Sequence, residues 1–154
     1  MTPEPVPQFT SQRRVEFADT DMAGIIHFSS YYRYMEECEH AYFRSLGFSI
    51  VHKLPDGDIL SWPRVRTSCA YYAPVRFEDL LDIRLFVLRK GVKSLTYDIE
   101  FLHNGKRVAR GSLKTVCCLH KHAHPLISIP IPEEINRLIL ESPHPLPKGS
   151  HDSE

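Results

Sequence analysis

One amphipathic helix followed by four strand-like segments constrains this chain more than any other feature. Between Tyr31 and Leu46, the residues Tyr31, Met35, Cys38, Tyr42 and Leu46 recur at i, i+4, i+7, i+11 and i+15, which is one face of a 3.6-residue repeat. Arg33, Glu36, Glu37, His40 and Arg44 occupy much of the rest. Ser29 or Ser30 suits the N-cap, and Gly47 suits the left-handed residue just past the C-terminus. From Trp62 the period becomes two. Val65 to Tyr71, Leu81 to Val87 and Leu95 to Phe101 alternate apolar with polar residues, and Arg107 to Cys118 forms a further extended run. Asn104-Gly105 is a two-residue hairpin signal. One helix cannot bury its apolar stripe alone, whereas a curved sheet wrapped around it can. The pattern therefore predicts an α+β fold, with an antiparallel meander of about five strands around one long central helix.

The remaining stretches organise around that unit. Residues 1–9, with three prolines, read as a loose arm, and Arg14-Val15-Glu16-Phe17 as a short first strand. Residues 10–140 form a single domain. Ser49 to Leu60 reads as a loop or lid with a turn at Pro55-Asp56-Gly57-Asp58. Pro132 to Leu140 reads as a short helix with acids in its first turn, and residues 141–154 as a disordered tail. With 154 residues the chain is long enough for one real core. Lys and Arg (19) balance Asp and Glu (19), so no global basic field recruits nucleic acid or a membrane surface. The absence of a membrane-length apolar run or a leader-like start points to the cytosol. Cys38, Cys69, Cys117 and Cys118 form no C-x-x-C and read as reduced, mostly buried thiols.

The chemistry concentrates just before the helix. Phe17-Ala-Asp19-Thr-Asp21-Met-Ala-Gly24-Ile-Ile-His27-Phe28-Ser29-Ser30 is a polar loop leading into the helix N-terminus. Unpaired N–H groups at such a terminus carry partial positive charge and can hold a carbonyl oxygen as it becomes negative. A neighbouring carboxylate can attack that carbonyl or activate water. Asp19 reads as structural and Asp21 as the reactive group. His27 reads as packing or capping the helix start, with orientation of water or substrate as its alternative. Gly24 serves either a turn or a close approach to ligand. Ser30 has no nucleophile-elbow context. His120-Lys-His122-Ala-His124 would share a face in an extended chain and could chelate a metal, but its polar surroundings favour solvated imidazoles. No metal is called for. Arg89-Lys90-Gly91-Val92-Lys93-Ser94 is a basic turn, read either as a solvated hairpin or as a phosphate clamp built from Arg89, Lys90, Lys93 and Ser94.

Asp19-Thr-Asp21-Met-Ala-Gly24-Ile-Ile-His27-Phe28, followed by Tyr31 and the helix, resembles the signature of the 4-hydroxybenzoyl-CoA thioesterase family of hotdog-fold acyl-CoA thioesterases. The resemblance covers about residues 10 to 130. It implies the hotdog fold and hydrolysis of an acyl-CoA thioester, with coenzyme A entering only as part of the substrate and no other cofactor. It matches the family's catalytic carboxylate to Asp21 and its carbonyl-polarising helix-start amide to Phe28. Some branches carry an aromatic residue followed by histidine here, whereas this chain has His27 and then Phe28. The family's nucleotide contacts come from a basic turn comparable in position and charge with Arg89–Ser94. The resemblance also implies a homo-oligomer, a dimer or tetramer, joined sheet edge to sheet edge with the site between subunits. The competing expectation is a non-catalytic acyl-CoA or acyl-carrier binding module on the same fold.

Overall fold

The structure, a computed structural model, describes residues 2–148. In chain order the elements are β1 (Phe9–Arg14), a 3₁₀ turn (Phe17–Asp19), α1 (Ser30–Ser45), β2 (His52–Lys53), β3 (Ile59–Ser61), β4 (Arg64–Tyr71), β5 (Leu80–Lys90), β6 (Ser94–His103), β7 (Lys106–Val116), β8 (Cys118–His120), β9 (Ile127–Ser128) and α2 (Glu133–Asn136). The fold is the expected α+β hotdog, with one long helix against a five-stranded antiparallel sheet.

Three sequence expectations are corrected. The first strand is Phe9–Arg14, ending where Arg14-Val15-Glu16-Phe17 was expected to begin, because Val15 is already fully buried and Phe17 enters the 3₁₀ turn. The long strands do not form a simple meander. Their order is β1-β5-β6-β7-β4, so β4 pairs with β7 rather than with β5. Alternation reveals strands but not their neighbours, and the segment 72–79 carries the chain across the sheet. The stretch expected to be a lid contributes β2 and β3, which join β8 and β9 in a second, four-stranded sheet.

The β6–β7 turn is as expected: Asn104 (φ 50°) and Gly105 (φ 77°) both adopt positive φ, which matches the right-handed twist of the strands they join. Tyr31, Tyr34, Met35, Cys38, Tyr42 and Phe43 face the sheet from α1 and are at most 3 % exposed. Their partners include Leu81, Ile83 and Leu85 of β5 and Leu95, Ile99 and Phe101 of β6. Met35 of α1 lies close over Gly111 of β7, where any Cβ would collide with the Met35 sulfur.

One charged residue shares this buried face. Glu39 is fully buried, and its Oε1 lies 2.8 Å from Nη1 of Arg64, at an angle that does not make a hydrogen bond. Burial pushes its carboxyl up to about 7 against the pull of Arg64. On the opposite face of the sheet, Glu100 is held by Arg84 (3.0 Å) and Arg107 (2.7 Å), and Asp98 by Arg110 (2.8 Å).

The terminal segments meet over that outer face. Val6 N–H donates to the His144 carbonyl (2.9 Å), Arg84 to the Pro5 carbonyl (3.0 Å) and Arg110 to the Pro147 carbonyl (2.6 Å). Leu146 is buried. The part of the expected tail from 149 to 154 lies outside the described residues. α2 is a single turn, shorter than the helix expected over Pro132–Leu140.

Candidate active site

The loop before α1 closes like a small hairpin. Thr20 bridges Ile26, Asp21 N–H donates to the Ile25 carbonyl (2.9 Å) and His27 N–H to the Asp19 carbonyl (2.8 Å). Its outer side hangs on the crossing segment, since Ile26 N–H donates to the Val75 carbonyl (2.7 Å) and Ile25 bridges Arg76. Gly24 supplies the positive φ (76°) at the tip. The departure from a meander therefore creates the backbone edge that supports this loop.

Asp19 faces inward at 6 % exposure. Its Oδ2 accepts from Tyr34 Oη (2.7 Å), from Glu16 N–H (3.0 Å) and from Arg13 Nη1 (3.3 Å). Burial works to raise its pKa. The Tyr34 hydroxyl, the Glu16 amide, Arg13 and Arg33 outweigh that effect and hold the carboxyl below its usual range. Asp21 faces the other way. Its Oδ1 accepts from Ala23 N–H (2.8 Å), and among the described residues no protein donor takes Oδ2. Asp21 lines a cleft of about 370 Å³ together with Ile26, Phe28, Tyr31, Tyr71 and Tyr72.

The backbone at the helix start is held in place. Ser30 N–H donates to the His27 carbonyl (2.9 Å), which fixes the plane of the His27–Phe28 peptide. In a trans peptide the N–H points opposite to the carbonyl, so the Phe28 N–H points away from α1. No acceptor among the described residues takes it. The next peptide is fixed by Tyr71, whose hydroxyl donates to the Phe28 carbonyl (3.2 Å). Ser29 is the N-cap residue but makes no side-chain cap, and the Ser30 hydroxyl instead donates to the Asp19 carbonyl (2.9 Å). His27 Nδ1 accepts the Ser29 N–H (3.2 Å) and lies 2.7 Å from Ser29 Oγ, while its ring stacks on Phe28 at 4.6 Å. With Nδ1 accepting, the ring proton sits on Nε2.

The structure thus brings Asp21 and Phe28 to one cleft, with His27 capping the helix beside them. It does not bring the basic turn there within one chain. Ser94 pairs with Val116, while Phe101 pairs with Ala109 and, through it, with Tyr71 beside the cleft. The six steps from Leu95 to Phe101 span roughly 20 Å of strand. Lys90 is also committed elsewhere, its Nζ donating to the Asn136 carbonyl (3.0 Å) and its N–H to Glu141 (2.8 Å). Arg89 and Lys93 are exposed, and the Ser94 carbonyl accepts the Gly91 N–H (2.8 Å). His120, His122 and His124 are exposed around the β8–β9 turn, and among the described residues no three His, Cys, Asp or Glu side chains are grouped to hold a metal. All four cysteines are free, with Cys69 half-buried and the others buried. Sequence reasoning missed Tyr71 and Tyr72. Their only signal is a pair of aromatics at a strand end just before Pro74.

A family profile described as the thioesterase-like superfamily matches residues 15–139. The chain belongs to that superfamily and is a hotdog-fold thioesterase. A 1,4-dihydroxy-2-naphthoyl-CoA hydrolase from Synechococcus sp. is 32 % identical over 117 residues, covering 71 % of this chain and 76 % of that protein. Another of the same name from Synechocystis sp. is 25 % identical over 139 residues, covering 89 % and 98 %. Among solved structures, a gentisyl-coenzyme A thioesterase superposes with a TM-score of 0.71 at 31 % identity, covering 82 % of this chain and 98 % of that one. No helix among the described residues is long and apolar enough to cross a membrane.

Proposed function

We propose that this thioesterase hydrolyses acyl-CoA thioesters carrying a compact, flat acyl group, with Asp21 as the reacting carboxylate. The observation that carries the reading is that Asp21, whose Oδ2 takes no donor among the described residues, and Phe28, whose N–H takes no acceptor among them, line one aromatic cleft. In the proposed pose the thioester carbonyl oxygen takes the Phe28 N–H, which strengthens its hold as negative charge develops. Two routes then fit the carboxylate. In one, Oδ2 attacks the carbonyl carbon, the C–S bond breaks, coenzyme A leaves as the thiolate and takes up a proton, and water cleaves the resulting anhydride to free acid and Asp21. In the other, Asp21 takes a proton from the water that attacks the carbonyl. Both consume one water and release the acid and the thiol. His27 is assigned to holding the helix start.

The cleft volume lies near the lower end for small-molecule sites, and Phe28, Tyr31, Tyr71 and Tyr72 offer ring faces and edges for stacking. Compact aromatic acyl groups suit it better than long flexible chains. The named relatives act on aromatic acyl-CoAs, which agrees with this choice.

The same geometry supports a pairing of subunits. β4 is an edge strand that pairs only with β7 among the described residues, and Val65 on it is 56 % exposed. Two copies pairing antiparallel along β4 would bring the Arg64 end of one, nearest its basic turn, towards the Tyr71 end of the other. Arg89 and Lys93 of each subunit would then serve the partner's cleft, which resolves their separation within one chain. The test is thiol release from acyl-CoAs with short, long and aromatic acyl groups. Turnover is expected to be highest with benzoyl-type substrates. No turnover on any of them would overturn the reading in favour of a binding module.

A further inference from the structure

Asp19 is the node through which both halves of the candidate machinery are attached. Asp21 follows it by two residues, and its carbonyl holds His27 N–H (2.8 Å) and the Ser30 hydroxyl (2.9 Å), the groups that frame the Phe28 peptide. Its carboxylate is gripped from two other elements. Tyr34, one turn along α1 from Ser30 and 1 % exposed, gives the shortest contact at 2.7 Å. Arg13, next to the end of β1, reaches Oδ2 at 3.3 Å, lies over the Tyr34 ring at 4.7 Å and bonds Glu37 of α1 at 3.0 Å. Strand, loop and helix are therefore joined at one carboxylate oxygen. Among the described residues that line the cleft, neither Tyr34 nor Arg13 is found, so both stand behind the reacting atoms rather than against them.

We infer that Tyr34 and Arg13 are positioning residues for hydrolysis, a bracket on Asp19 that sets the spacing between the Asp21 carboxylate and the Phe28 amide. The inference rests on the assignment of those two groups proposed above. A bracket of this kind acts on the alignment of the reacting groups more than on the grip on the substrate. Displacement of a reacting group by about 1 Å can cost about a hundredfold in rate, while remote contacts that set KM are untouched.

Tyr34→Phe removes one oxygen from the bracket and keeps the ring. Its kcat on the best acyl-CoA substrate is expected to fall about ten- to a hundredfold, with KM changed by less than about threefold. Arg13→Gln breaks the same bracket from the β1 side, is partly exposed, and is read in the same way should Tyr34→Phe not fold. The discriminating measurement is Tyr34→Phe combined with Asp21→Asn. Alignment matters only while both aligned groups are present, so the second loss should shrink to about twofold in the Asp21→Asn background. A kcat within twofold of the parent in both single variants overturns the bracket, as does an undiminished loss in the Asp21→Asn background, which would mark general loosening. These results differ from failure of the underlying assignment, which would show as full activity in Asp21→Asn and would remove the inference with it.

Discussion

Glu39→Gln should change how the stability of this protein depends on pH, by an amount that its burial sets. Glu39 lies on the sheet-facing side of α1 with no exposure, close to the Arg64 guanidinium but not well bonded to it. Burial raises its carboxyl from an ordinary 4.5 to about 7. Between those values the native state holds a proton that the unfolded chain has released. Stability then falls as pH rises, because the native state binds more protons. The contribution is fully present below about pH 4.5 and lost once pH passes about 7. A shift of this size corresponds to about 3 kcal/mol across the window. Glutamine cannot release a proton, so the difference between parent and Glu39→Gln unfolding free energies should change by that order between pH 4.5 and 7.5. Taking the difference removes the opposite trend from Asp19, whose lowered pKa makes its contribution disappear only in acid. Urea unfolding followed by tryptophan fluorescence, with Trp62 as the single indole, gives both curves. Parallel pH profiles for the two proteins would refute the reasoning and place a well-solvated or well-bonded carboxylate at Glu39.

Three further outcomes follow from particular contacts. Gly111→Ala should cost about 1–3 kcal/mol, the usual penalty for overpacking, and Met35→Ala in the same chain should recover part of it; additive losses in denaturant unfolding would contradict the close approach of α1 to β7. Arg89→Ala with Lys93→Ala should raise KM for acyl-CoA several-fold at nearly constant kcat, whereas Lys90→Ala, which frees the Asn136 carbonyl, should lower the melting temperature instead; equal KM effects would return Lys90 to the clamp. Light scattering at micromolar concentration should show a dimer or larger assembly, and Val65→Asp on the β4 edge should weaken it; a stable monomer in the parent protein would contradict pairing along β4.

The helix, the four long strands and the Asn104-Gly105 hairpin were legible because each rests on local periodicity or turn chemistry. The placement of β4 beside β7 was not, since period-two alternation says which face a residue takes and nothing about which strand lies alongside. The same limit hid Tyr71 and Tyr72, which reach the cleft only because the crossing segment turns beneath the Asp21 loop. Glu39 was missed for a different reason. It follows Cys38 on the buried face, where the rule that charges lie outside fails for a residue beside an arginine at the start of a strand. Asp19 and Asp21 are indistinguishable by composition, and the structure separates them by direction, one inward to Tyr34 and Arg13 and one outward to the cleft. The basic turn could be read from charge, but its distance from Asp21 along the sheet could not.

The central claim is that the Asp21 carboxylate performs the hydrolysis, and the most direct test is kcat for Asp21→Asn on the best acyl-CoA substrate, measured by thiol release beside a melting curve. Asparagine keeps the shape and the oxygen that accepts the Ala23 amide, so the fold should survive. It can neither take a proton from water nor form an anhydride. The expected result is a loss of about a hundredfold to ten-thousandfold or more, with an unchanged melting temperature and a slow residual rate from the Phe28 amide. Full activity in a folded Asp21→Asn protein would contradict it.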